Sequence, residues 1–565
     1  MNWKAQDREL QIPQGEVLPY LLEHDPAQRQ DADVWPGQQV CLRLRTEAGV
    51  LGSGEAVTQQ GGTLHRFPLT RVHTDAALEV WQAIFTAESL DFEYFFRLET
   101  VTGRAYLGNT GLQGSLPHPA RFRFAPRSPL EPPAWAQGAT FYQIFPDRFE
   151  RLESGTANAL AWDAPTTVQG FKDGTLSGIT ARLEHLHGLG VEVIYLTPIF
   201  ASPSTHRYDT TDFFAIDPRL GNEQDLRELV GRAHALGLRV ILDGVFNHVS
   251  EHHPFFVDVL ARGPDSPHWD WFEMGEWPVT AQTDAAYSMW WGFPHLPELR
   301  VEHPEVQRYL LKVATHWLQV ADVDGWRLDV AGELPLSFWQ DLRREVLGVK
   351  PDAYLLGEYW GDARQMLQGD SFDAAMNYPF RRSVLGFLSG EWDAPATARA
   401  LSRLYWRLPR AAAETQYNLL GSHDTPRVRT VLGGDAALVG LAFALQVAYP
   451  GTPALYYGDE LGLHGGEDPD CRRTYPWSEA HAAQEGTDAD LHAEVRRLYR
   501  WRRASPVLRC GDFRCQAPSP DVLSIERRLG EQVITLTLDR AARTAHWSEV
   551  NLPQAAPQEV ALERT

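Results

Sequence analysis

Two patterns in the sequence predict an α/β chain built around a (β/α)8 barrel, or TIM barrel. Between about residues 138 and 504, short apolar runs typical of strands alternate with stretches that carry apolar residues at the spacing of helices. Eight sequential strand–helix units favour a barrel over the rival architecture, a doubly wound open sheet. The strand candidates are Phe141–Phe145, Val193–Pro198, Arg239–Val245, Gly325–Val330, Tyr354–Tyr359, Ala374–Tyr378, Tyr417–Ser422 and Pro453–Gly458.

The helical stretches between these strands include Asn222–Gly237, Val306–Ala321 and Leu336–Gly348. One connection is unusually long, because about 55 residues rich in Trp and His separate the third strand from the helix at Val306. Connections of that length are usually functional or form a small subdomain. We therefore expect an inserted subdomain at about 248–300.

Both flanks of the barrel have strand patterns. Residues 1–125 contain short alternating runs such as Val40–Leu44 and Phe92–Leu98, which predict an N-terminal β-sandwich. The Pro-rich stretch after it is typical of a linker, so the barrel should occupy 134–505. Residues 506–565 contain runs such as Val533–Leu538 and predict a small C-terminal β-domain.

Charge and composition narrow the classes of function. The chain has 565 residues, enough for more than one domain, and a formal net charge of −22. That charge argues against nucleic acid and anionic membranes as partners, whereas a neutral ligand meets no penalty. No apolar run is long enough for a membrane span, and the N-terminal MNWKAQDRELQ has no secretory signal, so we expect a cytoplasmic protein. The four Cys residues show no zinc-like or disulfide pattern.

Acidic residues follow four of the predicted strands. Asp243 ends the third strand, Asp329 the fourth, Glu358 the fifth and Asp424 the seventh. Chemistry in TIM barrels lies at the carboxyl ends of the strands. One such acid alone is as well explained by a helix cap or a salt bridge, but several at one rim, with Arg and His beside them, indicate a catalytic site.

Cleavage of a glycosidic bond needs two carboxyl groups across the scissile bond, about 5–5.5 Å apart in retaining enzymes. Strands four and five are neighbours in a barrel, so Asp329 and Glu358 can reach that spacing. The segments DGVFNH, GWRLDVA, GEYW and GSHDTPR closely resemble the four signature regions of the α-amylase family, glycoside hydrolase family 13. FYQIFPDRF, SPSTHRYDT and GTPALYYGDE are also similar to that family, so the resemblance spans about 138–477.

The resemblance implies roles for the acids of the rim and for the arginine beside them. Asp329 corresponds to the nucleophile and Glu358 to the general acid/base. Asp424 corresponds to the third acid, which holds sugar hydroxyls. Arg327 stands two residues before Asp329, on the same face of the strand, and can hold the nucleophile ionised.

The resemblance also implies contacts with the sugar at subsite −1. His248 and His423 match residues that hydrogen-bond this sugar, and Tyr208 matches a stacking platform. Asp243 and Asn247 resemble residues that order the site from behind.

Further segments resemble one subgroup, the neopullulanases, cyclomaltodextrinases and maltodextrin glucosidases. HLPEL resembles its fifth conserved region, and GWRLDVAGE resembles its VANE ending, with Gly332 where Asn is usual. In EDPDCRRTYPW, Asp468 and Arg472 match residues that contact the sugar at subsite −2, and a surface ion pair is the alternative. Trp360, next but one to the acid/base, should shape the acceptor side.

The resemblance implies a retaining hydrolase of α-1,4 or α-1,6 bonds in short maltooligosaccharides, cyclomaltodextrins or pullulan. An exo-acting maltodextrin glucosidase, a transglycosylase of the same family and a non-catalytic glucan-binding protein are the alternatives. An α-glucan oligosaccharide is the expected partner, and the chain is expected to be a monomer or a homodimer. No cofactor is required, although the family admits a structural calcium ion near the first strand. The N-terminal domain resembles a starch-binding module.

Overall fold

The computed structural model describes residues 22–60, 63–75, 78–113, 120–152, 156, 158–279, 282–283 and 286–551. The N-terminal MNWKAQDRELQ segment lies outside these residues. The chain divides into two compact units, residues 1–129 and 130–565.

The first unit contains two antiparallel sheets. Alternate residues of Gln39–Glu47 in one sheet and of Glu93–Thr100 in the other share a single apolar core, as in a β-sandwich. The first sheet consists of Leu22–Glu23, Ala32–Trp35, Gln39–Glu47, Thr70–Thr74 and Leu78–Thr86. The second consists of Leu51–Gln60, Thr63–Pro68, Glu93–Thr100, Gly103–Gly108, Gly111–Gln113 and Phe122–Arg123.

The second unit is built on an eight-stranded parallel sheet. In chain order, barrel strands one to eight are Phe141–Ile144, Val193–Leu196, Arg239–Gly244, Gly325–Leu328, Tyr354–Gly357, Ala374–Ala375, Tyr417–Leu419 and Thr452–Tyr456. Strand one pairs with strands two and eight, and a parallel bridge between Met376 and Tyr417 joins strands six and seven. The sheet is therefore a nearly closed barrel, and the predicted fold class, with antiparallel sheets on both flanks, is confirmed.

Side chains from alternate positions of the strands fill the barrel. Phe141, Val193, Ile241, Tyr354 and Tyr417 are among the buried residues of this interior core. Close strand packing requires glycine at one position, Gly325, because a Cβ there would lie 2.1 Å from the carbonyl oxygen of Tyr354. The interior is thus a packed core, and only the ends of the strands are free for chemistry.

Amphipathic helices surround the barrel. Helix Pro304–Ala321 starts at a cap formed by His303, whose ring accepts from the N–H of Glu305, and it buries Val306, Leu310 and Trp317 against the sheet. The α-helices are Pro146–Phe149, Leu176–Ala181, Leu183–Leu189, Glu223–Ala235, Pro254–Arg262, Pro304–Ala321, Leu336–Val349, Tyr378–Leu388, Ala394–Trp406, Arg410–Ala413, Val428–Val431, Ala436–Ala448, Glu479–Glu485, Ala489–Ala504 and Pro506–Cys510.

Long connections leave the carboxyl ends of strands two and three. The connection after strand two forms the antiparallel hairpin Phe200–Ala201 and Asp212–Ile216. The insertion predicted after strand three contains helix Pro254–Arg262 and the 3₁₀ turns Gly263–Asp265, Trp269–Trp271 and Trp290–Gly292. Further 3₁₀ turns are Arg364–Leu367, Asp459–Leu461 and Asp470–Arg472.

The chain ends in a four-stranded antiparallel sheet formed by Asp512–Ser519, Val522–Leu529, Gln532–Asp539 and Thr544–Asn551. This sheet packs on the barrel through aromatic contacts, for example between Phe513 and Tyr405, whose ring centroids are 5.2 Å apart. Among the described residues, no helix combines the length and apolar character needed to cross a membrane.

Candidate active site

Carboxyl groups of the predicted site lie directly above the barrel core. Asp243 is two residues beyond the core residue Ile241, and Glu358 is two residues beyond Leu356. Because successive side chains of a strand alternate in direction, both carboxyl groups point along the barrel interior at its carboxyl end.

One buried guanidinium joins carboxyl groups from three strands. Nη1 of Arg327 donates to Asp243 Oδ1 at 2.8 Å and to Asp329 Oδ1 at 2.6 Å, and Nη2 lies 2.9 Å from Glu358 Oε1. Asp329 and Glu358 are each only 6% exposed. The structure thus brings together the predicted nucleophile, the predicted acid/base and the arginine expected beside them.

The backbone immediately after Asp329 is strained. Val330 has a φ of +40°, a region that is costly for a β-branched residue. Its N–H donates to Glu358 Oε2 at 2.9 Å. The strained turn therefore links the end of strand four to the carboxyl group at the end of strand five.

Burial and mutual repulsion change the pKa values of these acids. Burial raises the pKa of Asp329 well above its ordinary value, an effect that Arg327 opposes and that Glu358 and Asp243 reinforce. Burial, reinforced by Glu358 and opposed by Arg472, raises the pKa of Asp424 to about 7. The cluster as a whole therefore retains a proton near neutral pH, as a site that must supply a general acid requires.

His423 and Tyr208 connect strand seven with the loop after strand two. Their rings are parallel within 1°, and His423 Nε2 lies 2.5 Å from the Tyr208 hydroxyl and 3.2 Å from Asp424 Oδ2. The Tyr208 hydroxyl also donates to Asp243 Oδ2 at 2.9 Å. Burial lowers the pKa of His423 well below its ordinary value, with Arg472 contributing, so its ring is neutral.

His248 and Asn247 lie at the start of the insertion after strand three. His248 is buried, and its ring stacks on Trp290 with centroids 5.2 Å apart. Burial lowers the pKa of His248 to about 3. Asn247 Nδ2 donates to Glu298 Oε1 at 3.3 Å, which ties strand three to the HLPEL segment.

Arg472 closes the opposite wall of the site. Its Nε donates to the carbonyl of His423 at 2.8 Å, and its Nη2 lies 3.5 Å from Asp424 Oδ1. Its Nη1 lies 2.9 Å from Asp468 Oδ1. Arg472 is only 7% exposed, so this pair reaches from the predicted catalytic acids to the surface instead of lying on the surface alone.

Aromatic side chains flank the rim beyond Glu358. Trp360 is 41% exposed and stacks on Tyr378 at 3.6 Å between centroids. Gly332, which replaces the Asn usual in the resembled subgroup, lies beside Tyr359, because a Cβ at this position would be 2.7 Å from Tyr359 Cε2. The ring of Tyr359 thus occupies the space that a side chain at residue 332 would take.

The sequence did not single out every residue of the site, and Gln143 and Glu333 are among those missed. Gln143 Nε2 lies 2.8 Å from His423 Nδ1, and a polar side chain within the apolar strand one was the only available signal. Glu333 accepts from the indole N–H groups of Trp290 and Trp291, both at 3.0 Å. The abundance of Trp in the insertion was the only sequence feature that pointed to these contacts of Glu333.

Comparison with known proteins places the chain among carbohydrate-active enzymes. The family model for the α-amylase catalytic domain matches residues 143–505. A cyclomaltodextrinase of Geobacillus thermopakistaniensis (strain MAS1) is 38% identical over 498 residues, which cover 86% of this chain and 83% of that protein. Neopullulanase 2 of Thermoactinomyces vulgaris is 42% identical over 416 residues, covering 72% of this chain and 71% of that protein.

A solved cyclomaltodextrinase structure superposes with a TM-score of 0.86 at 35% identity, covering 92% of this chain and 91% of that one. The match of the family model and the extent of these similarities agree with the barrel and with the acids at its rim. The chain belongs to the α-amylase family and is a glycoside hydrolase.

Proposed function

We propose that this enzyme hydrolyses short α-glucans, namely maltooligosaccharides, cyclomaltodextrins or pullulan, with net retention of configuration at the anomeric carbon. The observation that carries the proposal is the contact of Asp329 and Glu358, on neighbouring strands, with the same buried guanidinium of Arg327. The names of the cyclomaltodextrinase and neopullulanase relatives support cyclic glucans and pullulan as substrates.

In the first step, a carboxylate oxygen of Asp329 attacks the anomeric carbon while Glu358 gives its proton to the departing glycosidic oxygen. One C–O bond forms and one breaks, which leaves a covalent glycosyl ester on Asp329. In the second step, Glu358 takes a proton from water, whose oxygen displaces Asp329. Arg327 opposes the burial-driven rise in the pKa of Asp329 and so favours the ionised form that attacks the sugar.

The donor sugar lies, on this proposal, against Tyr208, His248 and His423, with Asp424 binding its hydroxyl groups. Arg472 holds Asp424 in place and, with Asp468, extends the binding surface toward the next sugar. Asp243 and Asn247 order the residues that contact the sugar. All these groups offer hydrogen bonds to neutral hydroxyls, which suits an uncharged glucan.

Exposed aromatic side chains beyond Glu358 support a binding surface for sugars on the acceptor side. Trp291 is 62% exposed and Trp360 is 41% exposed, so two large aromatic faces remain accessible beyond Glu358. Aromatic faces of this kind stack on sugar rings that extend past the scissile bond. Transglycosylation uses the same intermediate, with a sugar hydroxyl in place of water, and is the second candidate activity.

The purified enzyme should be incubated separately with β-cyclodextrin, pullulan and maltotriose. We expect ring opening to maltose and the release of panose from pullulan, with the α-anomer as the first product seen by NMR. Asp329→Asn should lose at least ~10⁴-fold activity while its far-UV circular dichroism is unchanged. Glucose released only from maltotriose would contradict the proposal in favour of an exo-acting glucosidase, and products longer than the substrate would favour transglycosylation.

The raised pKa of Asp424 predicts a conflict between activity and stability. The unfolded carboxyl group titrates near 3.8, whereas the folded one titrates near 7, so the folded state is increasingly penalised as the pH rises between these values. Asp424→Asn should therefore raise the thermal unfolding temperature more at pH 8 than at pH 4.5, while it abolishes most activity. Calorimetry at both pH values tests this, and an equal shift at both would contradict it.

We also propose that the loop after strand one needs no calcium ion, because Lys172 supplies a cation there. The fully buried Lys172 ammonium donates to the carbonyl oxygens of Ala161, Trp162 and Ala164 at 2.5, 3.3 and 2.5 Å. Burial, reinforced by Arg148, lowers the pKa of Lys172 to about 8, so the group is still charged at neutral pH.

Two described acids of the same loop, Asp147 and Asp173, already have partners. Asp147 accepts from the backbone N–H groups of Lys172 and Asp173, and Asp173 accepts from Thr156 and Arg219. Residues 153–155 and 157 of this loop lie outside the described residues. In the described part of the chain, no cluster of His, Cys, Asp or Glu is arranged to hold a metal ion.

Lys172→Met should lower the thermal unfolding temperature by at least ~5 °C, because it removes a buried ammonium group that donates to three backbone carbonyl groups. Lys312→Met on an outer helix should change it by less than ~1 °C. A chelator should leave the wild-type unfolding temperature unchanged. A fall of several degrees with chelator, reversed by added calcium, would refute a metal-independent loop.

Three expectations from the sequence stay predictions: a cytoplasmic location, a monomeric or homodimeric state, and a starch-binding role for the N-terminal domain. Each concerns a property that the geometry of the catalytic site does not determine.

A further inference from the structure

A buried amide on strand one contacts the imidazole at the end of strand seven. Gln143 and His423 are both fully buried, and Gln143 Nε2 lies 2.8 Å from His423 Nδ1. The other ring nitrogen of His423 faces the Tyr208 hydroxyl and Asp424. The imidazole therefore connects a residue remote from the sugar with residues of the predicted subsite −1.

The direction of the hydrogen bonds that connect Asp243, Tyr208, His423 and Gln143 follows from the surroundings of Asp243. Asp243 faces three donors, because Arg327 Nη1 donates to its Oδ1, and the hydroxyls of Tyr195 and Tyr208 donate to its Oδ2 at 2.6 and 2.9 Å. Burial raises the pKa of Asp243, but Arg327 and both phenols oppose that rise. The opposite direction would require a proton on Asp243 beside a guanidinium, which is unfavourable.

Tyr208 has a single hydroxyl proton. If that proton is donated to Asp243, the phenolic oxygen must accept from His423 Nε2, which lies 2.5 Å away. Nε2 then carries the ring proton of the neutral imidazole, and Nδ1 has a free lone pair. That lone pair needs a hydrogen-bond donor, and Gln143 Nε2 is placed to provide one.

We infer that Gln143 is a positioning residue that, together with the Tyr208 hydroxyl, holds His423 in its neutral tautomer with the proton on Nε2. The imidazole then points an N–H donor at Asp424 Oδ2, 3.2 Å away, and at the space where a sugar hydroxyl would bind. The other tautomer would turn a lone pair toward the Asp424 carboxylate and lose this donor. The value of this donor for catalysis rests on the proposed function, whereas the tautomer itself does not.

The tautomer can be read directly by ¹⁵N NMR of ring-labelled histidine, since protonated and bare ring nitrogens resonate far apart. The His423 signals are assigned by their loss in His423→Asn. We expect the proton on Nε2 in the wild-type enzyme throughout pH 5–8. A wild-type signal with the proton on Nδ1 would overturn the inference whether or not the enzyme hydrolyses glucans.

Gln143→Glu provides a second test, because a carboxylate opposite Nδ1 requires a proton there. We expect the His423 signals to shift to Nδ1–H or to the doubly protonated ring, with at least a 10-fold fall in kcat and a new ionisation in its pH profile. In Gln143→Met, His423 should likewise no longer be present only as the tautomer with the proton on Nε2. Unchanged His423 signals in both variants, with kcat within 2-fold of wild type, would refute the inference.

Gln446 offers a matched control for the loss of a buried amide. It is fully buried and donates to the carbonyls of Asn418 and Ala454, away from His423. Gln446→Met should lower stability but leave the His423 signals unchanged. A shift of those signals in Gln446→Met as large as in Gln143→Met would mean that general loosening, and not the amide of Gln143, sets the tautomer.

Discussion

The buried guanidinium of Arg327 is the interaction on which the rest of the site depends. Asp243, Asp329 and Glu358 are almost fully buried around it, and so many carboxyl groups could not remain together in a low-dielectric interior without a cation. The guanidinium is well suited to this because it is always charged and offers several donors in one plane. It also opposes the burial-driven rise in the pKa of Asp329, which favours the ionised form of that carboxyl group.

The barrel holds these charged side chains close together at its rim. Close-packed layers fix the strand ends, and the two-residue period of a strand carries each side chain from the core to the rim. Each wall of the site then depends on a different connection. Arg472, after strand eight, supports Asp424, and Trp290 and Trp291 of the insertion are held by Glu333 after strand four. The rim is thus assembled from segments far apart in the chain.

The sequence was sufficient to predict the barrel and the acids at its rim, because alternating strands and helices leave a strong pattern and the acids fall at strand ends. Contacts such as those of Gln143 with His423, or of Lys172 with three carbonyl groups, could not be predicted from the sequence. They depend on which loops meet in space, and a single glutamine or lysine has no pattern of its own. The structure explains why residue 332 is a glycine, because the ring of Tyr359 occupies the space that a side chain there would take.

We propose that Asp329 forms a covalent bond to the sugar and that Glu358 is needed to release it. The direct measurement uses Glu358→Gln with α-maltosyl fluoride, whose leaving group needs no acid, followed by mass spectrometry of the intact protein and of its peptides. We predict a single maltosyl ester that accumulates on the peptide containing Asp329 and is absent from Asp329→Asn. An ester on a different carboxyl group, or continued turnover to the β-anomer without any adduct, would contradict the account.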